Sequence, residues 1–200
     1  MRLFIAVTVP ESIQRQLASL TGRLRKAAIR GSWVRPENLH LTLKFLGEID
    51  SSAVPALEQE LTSSCRQFVP FQLRLTKLGF LPPRGQPRVL MVATDQEQRL
   101  RSLASTLDQS LVRLGFPVAE RFKAHMTLAR IKGPQNLMLL HKLMERAVLG
   151  QSFPVCGVSL IKSELRTEGA HYQVLRQVAF SGAERGFPDE QQAGRDGGPN

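Results

Sequence analysis

At 200 residues and 42% hydrophobic, the chain is long enough for one well-cored domain. No stretch reaches the ~20 continuous apolar residues of a membrane-spanning helix, and Cys65 and Cys156 are too far apart for a Cys-x-x-Cys zinc or redox motif. The formal net charge is +10; residues 181–200 hold two Arg against four Asp/Glu, a net of −2, so the remainder carries +10 − (−2) = +12. That surplus draws in polyanions over a screening length of ~8 Å, nucleic acid first among them.

The opening apolar run is too short for a secretory signal and reads as a strand over 2–9, ended by Pro10. A cytoplasmic protein is expected, with both cysteines as free buried thiols. Ile13, Leu17, Leu20, Leu24 and Ala28 recur at helical spacing up to Gly31. Residues 33–36 are an extended lead-in to a strand over 39–46, closed by Gly47. A short helix over 53–61 follows, then a strand over 71–78 with one wet face.

Residues 79–88 hold three prolines, two glycines and the cations Arg84 and Arg88, and read as a loop. A buried strand over 89–93 precedes a helix over 96–114, whose leucine stripe stops at Gly115. A strand over 122–131, a break at Gly133-Pro134, a helix over 136–148 and two strands over 155–165 and 172–180 complete the pattern. Residues 181–200 read as a disordered tail. This order predicts an α+β fold in one bilobal domain over 1–180. Two antiparallel-rich sheets with outer helices would be related by a pseudo-two-fold around a central cleft.

Two of the four histidines fall in a repeat, His40-Leu41-Thr42-Leu43 and His125-Met126-Thr127-Leu128. Side chains alternate along a strand, so each His shares a face with its Thr while the apolar residues anchor the other face. Two such strands would place two imidazoles and two hydroxyls around one small anionic group. One neutral imidazole takes a proton from water and one charged imidazole gives a proton to a leaving oxygen, both near neutral pH. The hydroxyls donate to phosphate oxygens. Strict alternation puts Lys44 on the face of His40 and Thr42, as a substrate-binding cation, and Arg130 on the face opposite His125. A metal site is not expected, because neither motif has a carboxylate or thiol beside it. His141 and His171 read as surface residues. Trp33 and Phe45 could stack a base but are expected to pack in the core, while Arg84 and Arg88 are candidates for RNA backbone contact.

At these residues the chain resembles the two-histidine phosphoesterases, specifically the RNA 2′,3′-cyclic phosphodiesterases also called 2′-5′ RNA ligases. The resemblance runs from Arg2-Leu3-Phe4-Ile5-Ala6 through the stretches around both motifs (33–47 and 122–130) and Pro87-Arg88-Val89-Leu90 to Ser163-Glu164-Leu165 and Tyr172. It implies a bilobal α+β fold that needs no metal or cofactor and hydrolyses 2′,3′-cyclic phosphate ends of RNA to 2′-phosphomonoesters. It also implies His40 as proton donor to the departing 3′ oxygen and His125 as proton acceptor, with phosphate on Thr42 and Thr127. Arg130 matches the pattern as a holder of phosphate or of a neighbouring nucleotide. Ala124 stands where many relatives have Pro, a change that removes no functional group. The expected partner is RNA with a cyclic phosphate end, tRNA fragments among them, acted on by a monomer. Two rivals remain: joining or cleaving 2′-5′ linkages at the same site, and a non-catalytic basic RNA-binding module whose motifs are relics.

Overall fold

The computed structural model describes residues 1–26, 30–81, 89–119, 121–132, 137–167 and 169–182. Arg84, Arg88, Gly133-Pro134 and the tail from residue 183 lie outside the described residues. The elements are β1 (Arg2–Thr8), α1 (Glu11–Lys26), β2 (Gly31–Trp33), β3 (His40–Glu48), α2 (Val54–Cys65), β4 (Phe71–Leu81), β5 (Val89–Thr94), α3 (Glu97–Leu111), β6 (Met126–Ile131), α4 (Leu137–Glu145), β7 (Ser152–Val155), β8 (Gly157–Arg166) and β9 (Gly169–Ala179). Among these residues no helix is long and apolar enough to cross a membrane.

The helices form where apolar residues recur once per turn. Ile13, Leu17, Leu20 and Leu24 are the buried stripe of α1, and Leu100, Leu103, Leu107 and Leu111 that of α3. A 3-10 turn over Val112–Leu114 follows α3 and ends at Gly115, whose φ of +86° is a left-handed conformation that favours glycine. Leu3 through Val7 of β1 are all buried, as a central strand requires. Leu3, Ile5 and Val7 join the main core with the helix stripes, while Phe4 and Ala6 join a second cluster with Ile161, against which Tyr172 packs.

The strands pair antiparallel in the order β7-β4-β5-β6-β3-β1-β8-β9, with β2 added on β6. The two expected sheets are the halves of this one curled sheet. They meet at β3 and β6, where Leu41 and Met126 form the registered pair. The unit β1–α1–β3 in one half is repeated as β5–α3–β6 in the other. The halves of the sheet are not the halves of the chain, because β4 pairs with its neighbour in sequence β5, and β8 returns to β1.

Several element boundaries differ from the sequence reading; β6 starts at Met126 rather than 122, which leaves His125 immediately before the strand. β4 runs to Leu81 through the expected loop start at Gly79, because Gly79, Phe80 and Leu81 pair with Met91, Leu90 and Val89. α2 continues to Cys65, itself buried. β7 is a strand of its own, separate from β8, and its Pro154 is tolerated because β7 is at the sheet edge. Cys65 and Cys156 are free, and burial pushes the Cys65 thiol up to about 12, leaving it unreactive; Cys156 is half-buried.

Candidate active site

β3 carries the first motif, and β6 beside it carries the second, with His125 immediately before its first residue. Their registered pair, Leu41 with Met126, is the second residue of each motif, so the antiparallel register runs 40 toward 127 and 42 toward 125. Leu41, Leu43, Met126 and Leu128 are buried and hold the strands from behind. His40, Thr42, His125 and Thr127 line one cleft of about 440 Å³ on the other face.

Both imidazoles are oriented by the same local device. His40 Nδ1 is 2.7 Å from the Asn38 carbonyl, and His125 Nδ1 is 2.8 Å from the Lys123 carbonyl, each two residues upstream. A carbonyl only accepts, so each Nδ1 carries its hydrogen and donates it. Nε2 is therefore the nitrogen left to take or give a proton in both rings. His40 Nε2 lies 3.0 Å from the Thr42 hydroxyl, which donates to it while the ring is neutral.

The first imidazole is held by aromatic rings. Its centroid is 4.8 Å from that of Phe4, and 5.3 Å from that of Tyr172, which it meets edge-on at 80°. Burial lowers the pKa of His40; the Asn38 carbonyl acts in the opposite direction, and the charge of His125 lowers it further. Burial raises the Tyr172 phenol, against the pull of the Arg130 and Arg2 guanidiniums.

A bulge at the last residue of each motif sets which later residues face the cleft. Ala6 is opposite Thr42 but Ile5 is opposite Lys44, leaving Leu43 as the extra residue in β3. Met91 is opposite Thr127 but Leu90 is opposite Ala129, leaving Leu128 as the extra residue in β6. Each bulge reverses the alternation, so that Phe45 and Arg130, five residues after each His, both line the cleft. Arg130 is thus on the face of His125, contrary to strict alternation.

Lys44 requires a correction for the same reason. The bulge turns it to the core, where it is buried, paired with Asp108 of α3 and donating to the Pro117 carbonyl at 2.7 Å. It does not line the cleft. Phe45, expected in the core, is instead 69% exposed, while Trp33 is half-buried and packs against the main core.

The chain matches the family described as LigT like Phosphoesterase twice, at residues 7–91 and 92–172. The chain belongs to this family. A protein of Archaeoglobus fulgidus named RNA 2′,3′-cyclic phosphodiesterase is 37% identical over 179 residues, 88% of this chain and 98% of the relative. One of the same name from Thermus thermophilus is 36% identical over 194 residues, 91% of each. Among solved structures, TT0787 of Thermus thermophilus superposes with a TM-score of 0.75 at 34% identity, covering 90% of this chain and 98% of that one. E. coli LigT complexed with 3′-AMP gives 0.71 at 26% identity, covering 90% and 98%.

The double match follows the repeat of strand, helix and motif strand seen in the fold. In this LigT-like phosphoesterase no three or more His, Cys, Asp or Glu come together to hold a metal ion, among the described residues. His141 and His171 are exposed and neither lines the cleft, His141 lying edge-on to Phe80. Sequence reasoning gave no role to Arg2, Phe4 or Asn38. Alternation in β1 carried a signal for the first two, since Arg2 and Phe4 share parity opposite the buried Leu3 and Ile5.

Proposed function

We propose that this LigT-like phosphoesterase hydrolyses the 2′,3′-cyclic phosphate at the end of RNA to a 2′-phosphomonoester without a metal, as a monomer, tRNA fragments being among its substrates. The observation that carries this is two imidazoles in one cleft, each with its Nδ1 hydrogen held by a carbonyl and its Nε2 left to exchange a proton. The names of the relatives and the nucleotide complex of E. coli LigT support the same substrate class.

Water attacks phosphorus as His125 Nε2 takes its proton; the bond to the 3′ oxygen breaks as His40 Nε2 protonates that oxygen. Each transfer contributes ~10²–10⁴-fold. Thr42 and Thr127 donate to the non-bridging oxygens, and Arg130 holds negative charge at the cleft wall. Without substrate, burial and the charge of His125 disfavour the imidazolium of His40. The anionic phosphate reverses that balance, so the proton donor is charged when substrate is in place. Phe45, exposed in the cleft, offers its ring to a base; stacking of this kind is worth ~1–3 kcal/mol per base.

The test is an RNA ending in 2′,3′-cyclic phosphate, incubated with the protein in EDTA. A 2′-phosphate product is expected, with turnover lost by orders of magnitude in His40→Ala and His125→Ala. A 3′-phosphate product, or turnover that requires added metal, would sink the assignment.

A further inference from the structure

The charge in the cleft exceeds what one terminal phosphate neutralises. Arg2 and Arg130 both line it, and no Asp or Glu does among the described residues. A cyclic phosphate is a diester with a single negative charge, while two guanidiniums and one imidazolium add up to three positive ones. Glu48 is opposite Arg2 in β3, but its carboxylate is 3.6 Å from the N-terminal ammonium instead.

Arg2, Tyr172 and Arg130 are gathered at one place. Arg2 is in register with Ser163 and Ser163 with Tyr172, so the three form a row across β1, β8 and β9 with side chains on the cleft face. Arg130 comes from β6, in the other half of the sheet, and both guanidiniums act electrostatically on the Tyr172 phenol. The Tyr172 ring is 5.3 Å from the His40 ring, so an anion held there is next to the terminal phosphate.

We propose that Arg2, Tyr172 and Arg130 form a second anion subsite, which receives the phosphodiester one nucleotide upstream of the terminal cyclic phosphate. The preferred substrate is then an oligonucleotide end rather than a mononucleotide. This rests on the reading that the terminal phosphate sits between the two imidazoles. Tyr172 donates its hydroxyl to the upstream phosphate, Arg2 closes on it from the β1 side, and Arg130 bridges the two anions.

The subsite is tested by binding, independently of turnover. A nucleoside 2′-monophosphate and a dinucleotide ending in the same 2′-phosphate are titrated by calorimetry into the unaltered protein, Arg2→Gln and Tyr172→Phe. The dinucleotide should bind about tenfold or more tightly than the monophosphate. Its log affinity should fall more steeply with log salt, by about 0.7 for the extra phosphate neutralised. Either substitution should shrink the dinucleotide-to-monophosphate ratio several-fold. Tyr172→Phe keeps the ring against Phe4 and His40, so its effect reports the hydroxyl. Equal affinities in the unaltered protein, or a ratio that neither substitution moves, overturn the subsite. Hydrolysis of an RNA ending in 2′,3′-cyclic phosphate is read separately. If it is absent while the dinucleotide preference holds, the hydrolase reading fails and the subsite stands; if it is present and the preference is absent, only the subsite fails.

Discussion

The side-chain amide of Asn38 donates to the carbonyl of Ala170 at 2.7 Å, across 132 residues of chain. Register places these residues at opposite ends of their half of the sheet. Asn38 precedes His40, which is opposite Thr8 at the end of β1, whereas Ala170 is opposite Leu165, beyond the Arg2–Ser163 pair at its start. The bond forms because the sheet curls until these diagonal corners meet. The carbonyl of the same Asn38 takes the Nδ1 hydrogen of His40. One residue thus fixes the first imidazole and ties down the hairpin whose Tyr172 packs against it.

Asn38→Ala removes the amide but keeps the carbonyl. The hairpin corner loses its tie, water reaches His40, and the main cause of its lowered pKa weakens. NMR titration of the His40 ring should show its pKa rising toward the ordinary 6.5, with stability down by about 1–2 kcal/mol. An unmoved His40 titration would mean that the corner bond does not govern the site.

The pH dependence should differ between kcat/KM and kcat. With His40 as the proton donor, kcat/KM falls as pH rises through the pKa of His40 in the free protein, which lies below 6.5. In the complex the phosphate charge favours the imidazolium, so the basic limb of kcat should lie at higher pH. Initial rates across pH 4.5–9 check this. Coincident basic limbs would assign proton donation elsewhere.

The Lys44–Asp108 pair is buried, its side chains only 3% and 7% exposed. Lys44→Met leaves the Asp108 carboxylate and the Pro117 carbonyl without their donor and should cost about 3–5 kcal/mol, read by denaturant unfolding. Lys44→Met with Asp108→Leu should recover most of that loss, because no charge is stranded. Equal destabilisation of the single and double variants would show that the pair is not the source of the cost.

Phe45→Ala should raise KM for RNA ends several-fold or more while changing kcat little, since the ring is offered to a base and not to phosphorus. Steady-state kinetics on an RNA end decide it. A fall in kcat with unchanged KM would place Phe45 in orienting the reacting groups instead.

Much of the fold was legible because local periodicity is a local property. The leucine stripes of α1 and α3 and the alternation in β1 and β3 are written in residue order, and Gly115 marks a stop that only its own conformation requires. β7 escaped because a four-residue edge strand containing proline has too few residues to show a period.

The sequence by itself determined that two His–Thr pairs share one face with apolar residues behind them, since side-chain alternation needs only the order of residues. Tertiary structure decided what surrounds them. Whether Lys44, Phe45 and Arg130 face the cleft depends on bulges at Leu43 and Leu128, and a bulge exists only relative to the partner strand, here β1 and β5. Arg2 and Tyr172 join the site for a similar reason: the curl that brings them there belongs to the whole paired sheet, and no single strand encodes it.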